Sequence, residues 1–215
     1  DIGGYAVPGE NVWAFELHQA GYSPAAMSEY LRLTEIMYHP LDPTAAEEAA
    51  GVTDGNDFEF LEFTNSSELF AIDLAGATFT NGIEFTFGDV SLAPGERGVL
   101  VASEAAFRAR YGNGPRILGE YTGQLSNAGE RLSMTHPLAF DGVFDMIYRD
   151  SDVASWPDAA DGDGPSLALR DVDTPPSEWS LPSRWTNSMA DGGSPGEPDA
   201  DEEARPRSGT EVARQ

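Results

Sequence analysis

The residues best spaced to hold a ligand are three aspartates in one short stretch, Asp158, Asp161 and Asp163, in the text Asp158-Ala159-Ala160-Asp161-Gly162-Asp163-Gly164. Calcium takes six to eight oxygen ligands in flexible geometry, and alternating Asp with Gly at the bends lets carboxylates and carbonyls converge within one loop. The pattern is incomplete. An EF-hand loop counted from Asp161 needs a bidentate Glu at its twelfth position, where this chain has Val172. The alternative is a plain turn in which the Asp side chains accept from backbone amides. Calcium is the one metal these residues suggest, and no cofactor is required.

Other chemistries find less. A serine hydrolase needs a nucleophile on a strained elbow and a histidine base, and no G-x-S-x-G occurs. His18, His39 and His136 sit in a strand-like segment and before two prolines, with no acidic pattern that singles one out as a base. H-E-x-x-H and G-K-[ST] are absent, which removes the common zinc-hydrolase and phosphate-loop signatures. Glu35, Glu59 and Glu62 lie in strand-like text and are expected on wet sheet faces or paired with Arg. Trp13, Trp156, Trp179 and Trp185 raise the question of a sugar-stacking platform, for which core packing is the competing role. No catalytic residue emerges, and the chain reads as not an enzyme.

Charge narrows the partners. Thirty-seven acidic side chains stand against 12 basic ones, all Arg, for a formal charge of -25. A field of that sign repels phosphate backbones and anionic lipid, so nucleic acid and polybasic membrane docking are disfavoured. No apolar run approaches the ~18 residues that a membrane-spanning helix needs, so no membrane insertion is expected. With no Cys, disulfides and thiolate sites are ruled out.

The elements that must position these residues read as short strands. The 23 Gly and 15 Pro recur as turn punctuation. Period-2 text over residues 11–18 sets Trp13, Phe15 and Leu17 on one face. Further strands are expected at 30–38, 58–64, 72–74, 83–87, 98–102, 131–134, 143–148 and 166–169. Within 58–64, Leu61 and Phe63 alternate with Phe60, Glu62 and Thr64, as in a sheet with one wet face. Residues 44–50 can form a turn or two of helix. The best-marked helix is 104–111, with Ser103 as N-cap and Gly112 past its end. After Gly192 apolar residues nearly vanish, and 199–215 read as a disordered acidic tail or linker.

Between residues 31 and 198 the order of phrases resembles the bacterial form of the lamin tail domain. Those phrases include Leu33-Thr34-Glu35-Ile36-Met37-Tyr38, Glu59-Phe60-Leu61-Glu62-Phe63-Thr64-Asn65, Leu92-Ala93-Pro94-Gly95-Glu96, Gly119-Glu120-Tyr121-Thr122-Gly123, Asp161-Gly162-Asp163-Gly164-Pro165-Ser166-Leu167 and Gly193-Ser194-Pro195-Gly196. The resemblance implies an all-β fold, an immunoglobulin-like two-sheet antiparallel sandwich with one short helix. It also implies a non-catalytic structural or interaction module of a larger exported or surface protein, extracellular, with neighbouring domains or surface proteins as partners. A carbohydrate- or matrix-binding domain is the alternative, and an accessory domain of an extracellular enzyme whose catalytic part lies elsewhere is a second. The phrase from Gly9 to Gln19 resembles the last strand of a jelly-roll, galactose-binding-like module, so residues 1–30 are expected as the terminal strand or linker of a preceding module, or else as an edge strand of the main sandwich. The chain opens at Asp1 in mid-pattern and reads as a segment of something longer.

Overall fold

A computed structural model describes residues 24–139, 142–150 and 155–199. The expected strand at 11–18, His18, Trp13 and all of the expected tail beyond Asp199 lie outside the described residues.

Helix α1 (Pro24–Tyr30) leads directly into β1 (Leu31–Met37), which pairs antiparallel with β2 (Phe60–Asn65). β2 pairs in turn with β6 (Arg97–Val101). On the other side of β1 lie β10 (Leu167–Leu169) and then β11 (Trp185–Asn187). β7 (Ile117–Glu120) completes the sheet by running parallel to β6, giving the order β11-β10-β1-β2-β6-β7. A parallel neighbour requires a crossover, and α3 (Glu104–Tyr111) supplies it. Its start is fixed by Ser103, whose hydroxyl accepts from Ala106 N at 3.3 Å.

A second sheet has the order β4-β8-β9, from Thr78–Asn81, Gly129–Thr135 and Phe144–Arg149. A two-stranded ladder joins β3 (Ile72–Asp73) to β5 (Ser91–Leu92). The main core joins the two larger sheets: Leu33, Ile36, Leu61, Phe63, Leu100 and Leu167 from the first meet Phe79, Leu132, Met134, Phe144, Met146 and Tyr148 from the second. Phe63 sits within 6.3 Å, ring centre to centre, of both Phe79 and Phe144.

A bulge in β1 controls what the outer face of the large sheet carries. Register runs Leu33↔Phe63, then shifts, then continues Glu35↔Glu62, Ile36↔Leu61 and Met37↔Phe60. One extra residue, Thr34, keeps Leu33 and Ile36 both on the inner face and sends Glu35 outward beside Met37. The outer face therefore has an apolar half and a polar half. Met37, Phe60, Val99 and Val101 are capped by Phe107 of α3, with Tyr111 and Ile117 at their margin. Glu35, Glu62, Thr64 and Arg97 make up the rest.

The fold is all-β with a few short helices, and several expectations need correcting. β2 has no wet face: all six of its residues are buried, because α3 and the loop after β11 cover the side opposite the core. There are three short α-helices among the described residues rather than one: α1, α2 (Ala45–Ala49) and α3. Residues 83–87 form no strand but join by isolated bridges, Thr78↔Thr86 and Glu84↔Thr122.

Candidate functional site

The aspartate loop folds as a turn. Asp161 N donates to Asp158 O at 3.1 Å and Asp163 N to Ala159 O at 3.2 Å. Asp158 Oδ1 accepts from Ala159 N at 3.0 Å and, at 3.5 Å, from Asn187 Nδ2 of β11. Asp161 Oδ1 lies 2.8 Å from His39 Nδ1, an ion pair when the ring is protonated. Asp163 is exposed. The structure thus joins Asp161 to His39 and Asp158 to Asn187, and among the described residues no group of three or more His, Asp or Glu side chains converges as metal ligands. His136 Nε2 lies 3.1 Å from Ala75 O, while its Nδ1 accepts from Leu138 N at 3.2 Å, so this ring ties a loop together.

Trp156, Trp179 and Trp185 are all buried. Trp179 Nε1 donates to Thr174 O at 3.1 Å and Trp185 Nε1 to Trp179 O at 2.6 Å, so each of these two indoles spends its polar handle internally. An open cleft of about 360 Å³ lies beside β11, lined by Ser155, Pro157, Arg170, Pro182, Ser183 and Asn187, with Trp185 at its wall.

The unusual chemistry is in the three glutamates expected on wet faces. Glu35, Glu59 and Glu62 are 2 %, 0 % and 1 % exposed, and among the described residues Glu62 is the one of the three that meets an arginine. The wet faces are corrected, since other segments of the chain fold over all three, while the pairing with Arg holds for Glu62. Glu62 Oε1 accepts from Thr34 Oγ1 at 2.6 Å and Arg97 Nη1 at 2.7 Å, and its Oε2 accepts from Gly196 N at 2.6 Å. Glu35 Oε1 accepts from the Ser166 hydroxyl and from Ser194 N at 2.9 Å. Burial, and next the charge of Glu62 opposite it, push the Glu35 carboxyl up to about 8. Burial raises Glu62 as well, opposed chiefly by Arg97.

Glu59 faces the other way, into the core end of the inner face. Its Oε2 accepts from Tyr121 OH at 2.9 Å and Leu125 N at 2.7 Å, while its Oε1 has no hydrogen-bond partner. Burial lifts it to about 7 despite those two donors. Tyr38 OH is likewise buried without a partner.

Two carboxylates abreast on adjacent strands, one holding a proton at neutral pH, are the raw material of acid–base chemistry. Here the space above them is filled. Gly193 has φ +81° and presses so close that a Cβ there would collide with Glu35 Oε1. What the arrangement does chemically is hold a proton and bind the chain's own amides. Sequence reasoning missed this because the covering loop comes from residues 190–197, and the one signal available was the Gly193-Ser194-Pro195-Gly196 phrase.

Most of the described arginines are similarly committed. Arg97, Arg108, Arg110, Arg116, Arg131 and Arg184 pair with Glu62, Glu104, Glu47, Glu96, Asp145 and Glu178. Arg32 and Arg170 donate to backbone carbonyls. Among the described residues no helix is long and apolar enough to cross a membrane. No protein-family model matches the chain, and no curated protein or solved structure matches it either.

Proposed function

We propose that residues 31–198 form an immunoglobulin-like sandwich of the lamin-tail kind, serving as a non-catalytic structural or interaction module of an exported or surface protein. The observation that carries this reading is how the chain uses its most perturbed acids. Glu35, Glu59 and Glu62 are buried, and their oxygens accept from backbone amides and hydroxyls of the same chain. Perturbed acidity marks catalytic groups when it faces a cleft, and marks scaffolding when it is sealed inside. Neighbouring domains are the partners that this role implies, reached through the chain on either side of the domain.

The test sets the full chain against ester, phosphodiester and glycoside substrates and, separately, against oligosaccharides followed by tryptophan fluorescence. The expected result is no turnover above a heat-treated control and no saturable change in emission. Turnover abolished by Glu35→Gln or Glu59→Gln in a folded protein would overturn the reading, as would saturable quenching by a sugar.

A further inference from the structure

After β11 the chain becomes a strap across the sheet. Residues 190–197 lie over the half of the outer face that α3 leaves uncovered, and their central fixings are the two buried carboxylates. Ser194 N donates to Glu35 and Gly196 N to Glu62. The margins are held by neutral groups: Tyr111 OH of α3 donates to Gly192 O at 3.0 Å, and Gly192 N donates to Gly164 O at 2.8 Å. At the far end Asp199 Oδ2 accepts from Met189 N at 3.1 Å.

We infer that this strap is a proton-dependent latch, closed over the sheet while Glu35 is neutral and opened as Glu35 loses its proton. The geometry supplies the reason. Glu35 and Glu62 are directly opposite in register on one face, an arrangement in which two like charges repel. Arg97 of β6 bonds Glu62, so the cation on this face is engaged with the other member of the pair. Around Glu35 itself stand Glu62 from β2, Asp199 from the strap's end, Tyr111 from α3 and the Ser166 hydroxyl beside β10. Both carboxylates oppose its ionisation, and Tyr111, raised by its own burial, stays neutral. Among the described residues a charge on Glu35 is answered by one hydroxyl and one amide. Lifting the strap lets water solvate that charge, at the cost of the two amide bonds.

The sign follows from proton counting. Closed, Glu35 titrates at about 8, and open and hydrated it returns toward its ordinary 4.5. Between those values the closed form binds more protons, so closure is strongest at low pH, weakens as pH rises, and levels off above the closed-state value.

The experiment is amide hydrogen exchange by NMR on the full chain, corrected for the intrinsic rate, with Leu61 and Leu100 amides as references inside the central strands. Protection of the Ser194 and Gly196 amides should fall by up to roughly tenfold per pH unit from about pH 5 to about pH 8 and then level, relative to those references. In Glu35→Gln, a neutral isostere, it should stay flat. Flat protection in the native chain, or the same slope in Glu35→Gln, overturns the latch. Should Glu35→Gln fail to fold, the Glu35 carboxyl ¹³C shift of the native chain decides. A midpoint coincident with the pH at which protection levels supports the latch, and a midpoint in the ordinary carboxylate range overturns it.

Discussion

Glu59 isolates what burial does to a single acid. It is fully buried, takes two donors on one oxygen and none on the other, and titrates at about 7 against an ordinary 4.5. A carboxyl raised in the folded state contributes stability below its unfolded value that is lost as pH rises through the folded one. Glu59→Gln keeps an oxygen for Tyr121 and Leu125 and carries no charge at any pH. The variant should therefore match the native chain near pH 4.5 and exceed it by about 3 kcal/mol at pH 8, read from urea unfolding at several pH values. A constant difference across that range would show that Glu59 titrates in the folded chain as it does in the unfolded one. The sequence disclosed Glu59, Glu35 and Glu62 as acids in strand text. It could not disclose their burial, since what covers Glu35 and Glu62 arrives from residues 190–197, and alternation along one strand reports which face a residue takes but not whether that face is covered. The bulge at Thr34 was equally hidden, because it is visible only in the register with β2.

At the scale of elements, α2 and α3 are fastened by one ion pair with several supports. Thr44 and Glu47 form a capping box at the start of α2. Glu47 also receives Arg110 of α3 through both oxygens, Nε to Oε1 at 2.9 Å and Nη2 to Oε2 at 3.1 Å. The guanidinium carbon lies 3.2 Å from the centre of the Phe58 ring. Arg110 holds Glu47 down at about 2, so this contribution is present above the ordinary carboxylate value and is lost as pH falls from about 4.5 to about 2. Arg110→Lys keeps the charge but forfeits the two-pronged bond and the flat stacking surface. It should cost about 1–2 kcal/mol at pH 7 and shrink the loss of stability on acidification, measured by urea unfolding at pH 7 and pH 3. An Arg110→Lys protein as stable as the native chain would mean the pair contributes only as an exposed one does. α3 itself was legible to the residue, because Ser103 and Gly112 mark its ends with local chemistry. α1 carries no helix signal in the sequence and its last residue, Tyr30, falls in the expected strand 30–38, while β7 and β11 carry no strand signal. β11 is three residues whose extended form depends on pairing with β10, and β7 carries Gly119, which suits a strand here because the Phe85 ring occupies the space a side chain would take.

For the whole molecule, the sum of charges sets the response to ions. At -25 the surface repels itself, and the ion pairs use arginines that are already few. Screening acts within a Debye length of ~10 Å at 0.1 M, so added salt weakens many weak repulsions while the sheltered Arg97–Glu62 and Arg110–Glu47 pairs are screened much less. The melting temperature should rise from low to molar sodium chloride, and a fall would mean that the surface pairs outweigh the repulsion. Calcium separates this general effect from a specific site. A loop that coordinates calcium gains stability by mass action beyond what ionic strength gives. Asp161 is engaged with His39, Asp158 with Asn187 and the Ala159 amide, and Asp163 is exposed, so the three carboxylates do not converge on one point. Calcium and magnesium at matched ionic strength should therefore raise the melting temperature equally. A larger gain in calcium, removed by Asp161→Ala with Asp163→Ala, would show that the loop rearranges around the ion and that the spacing of its aspartates serves coordination.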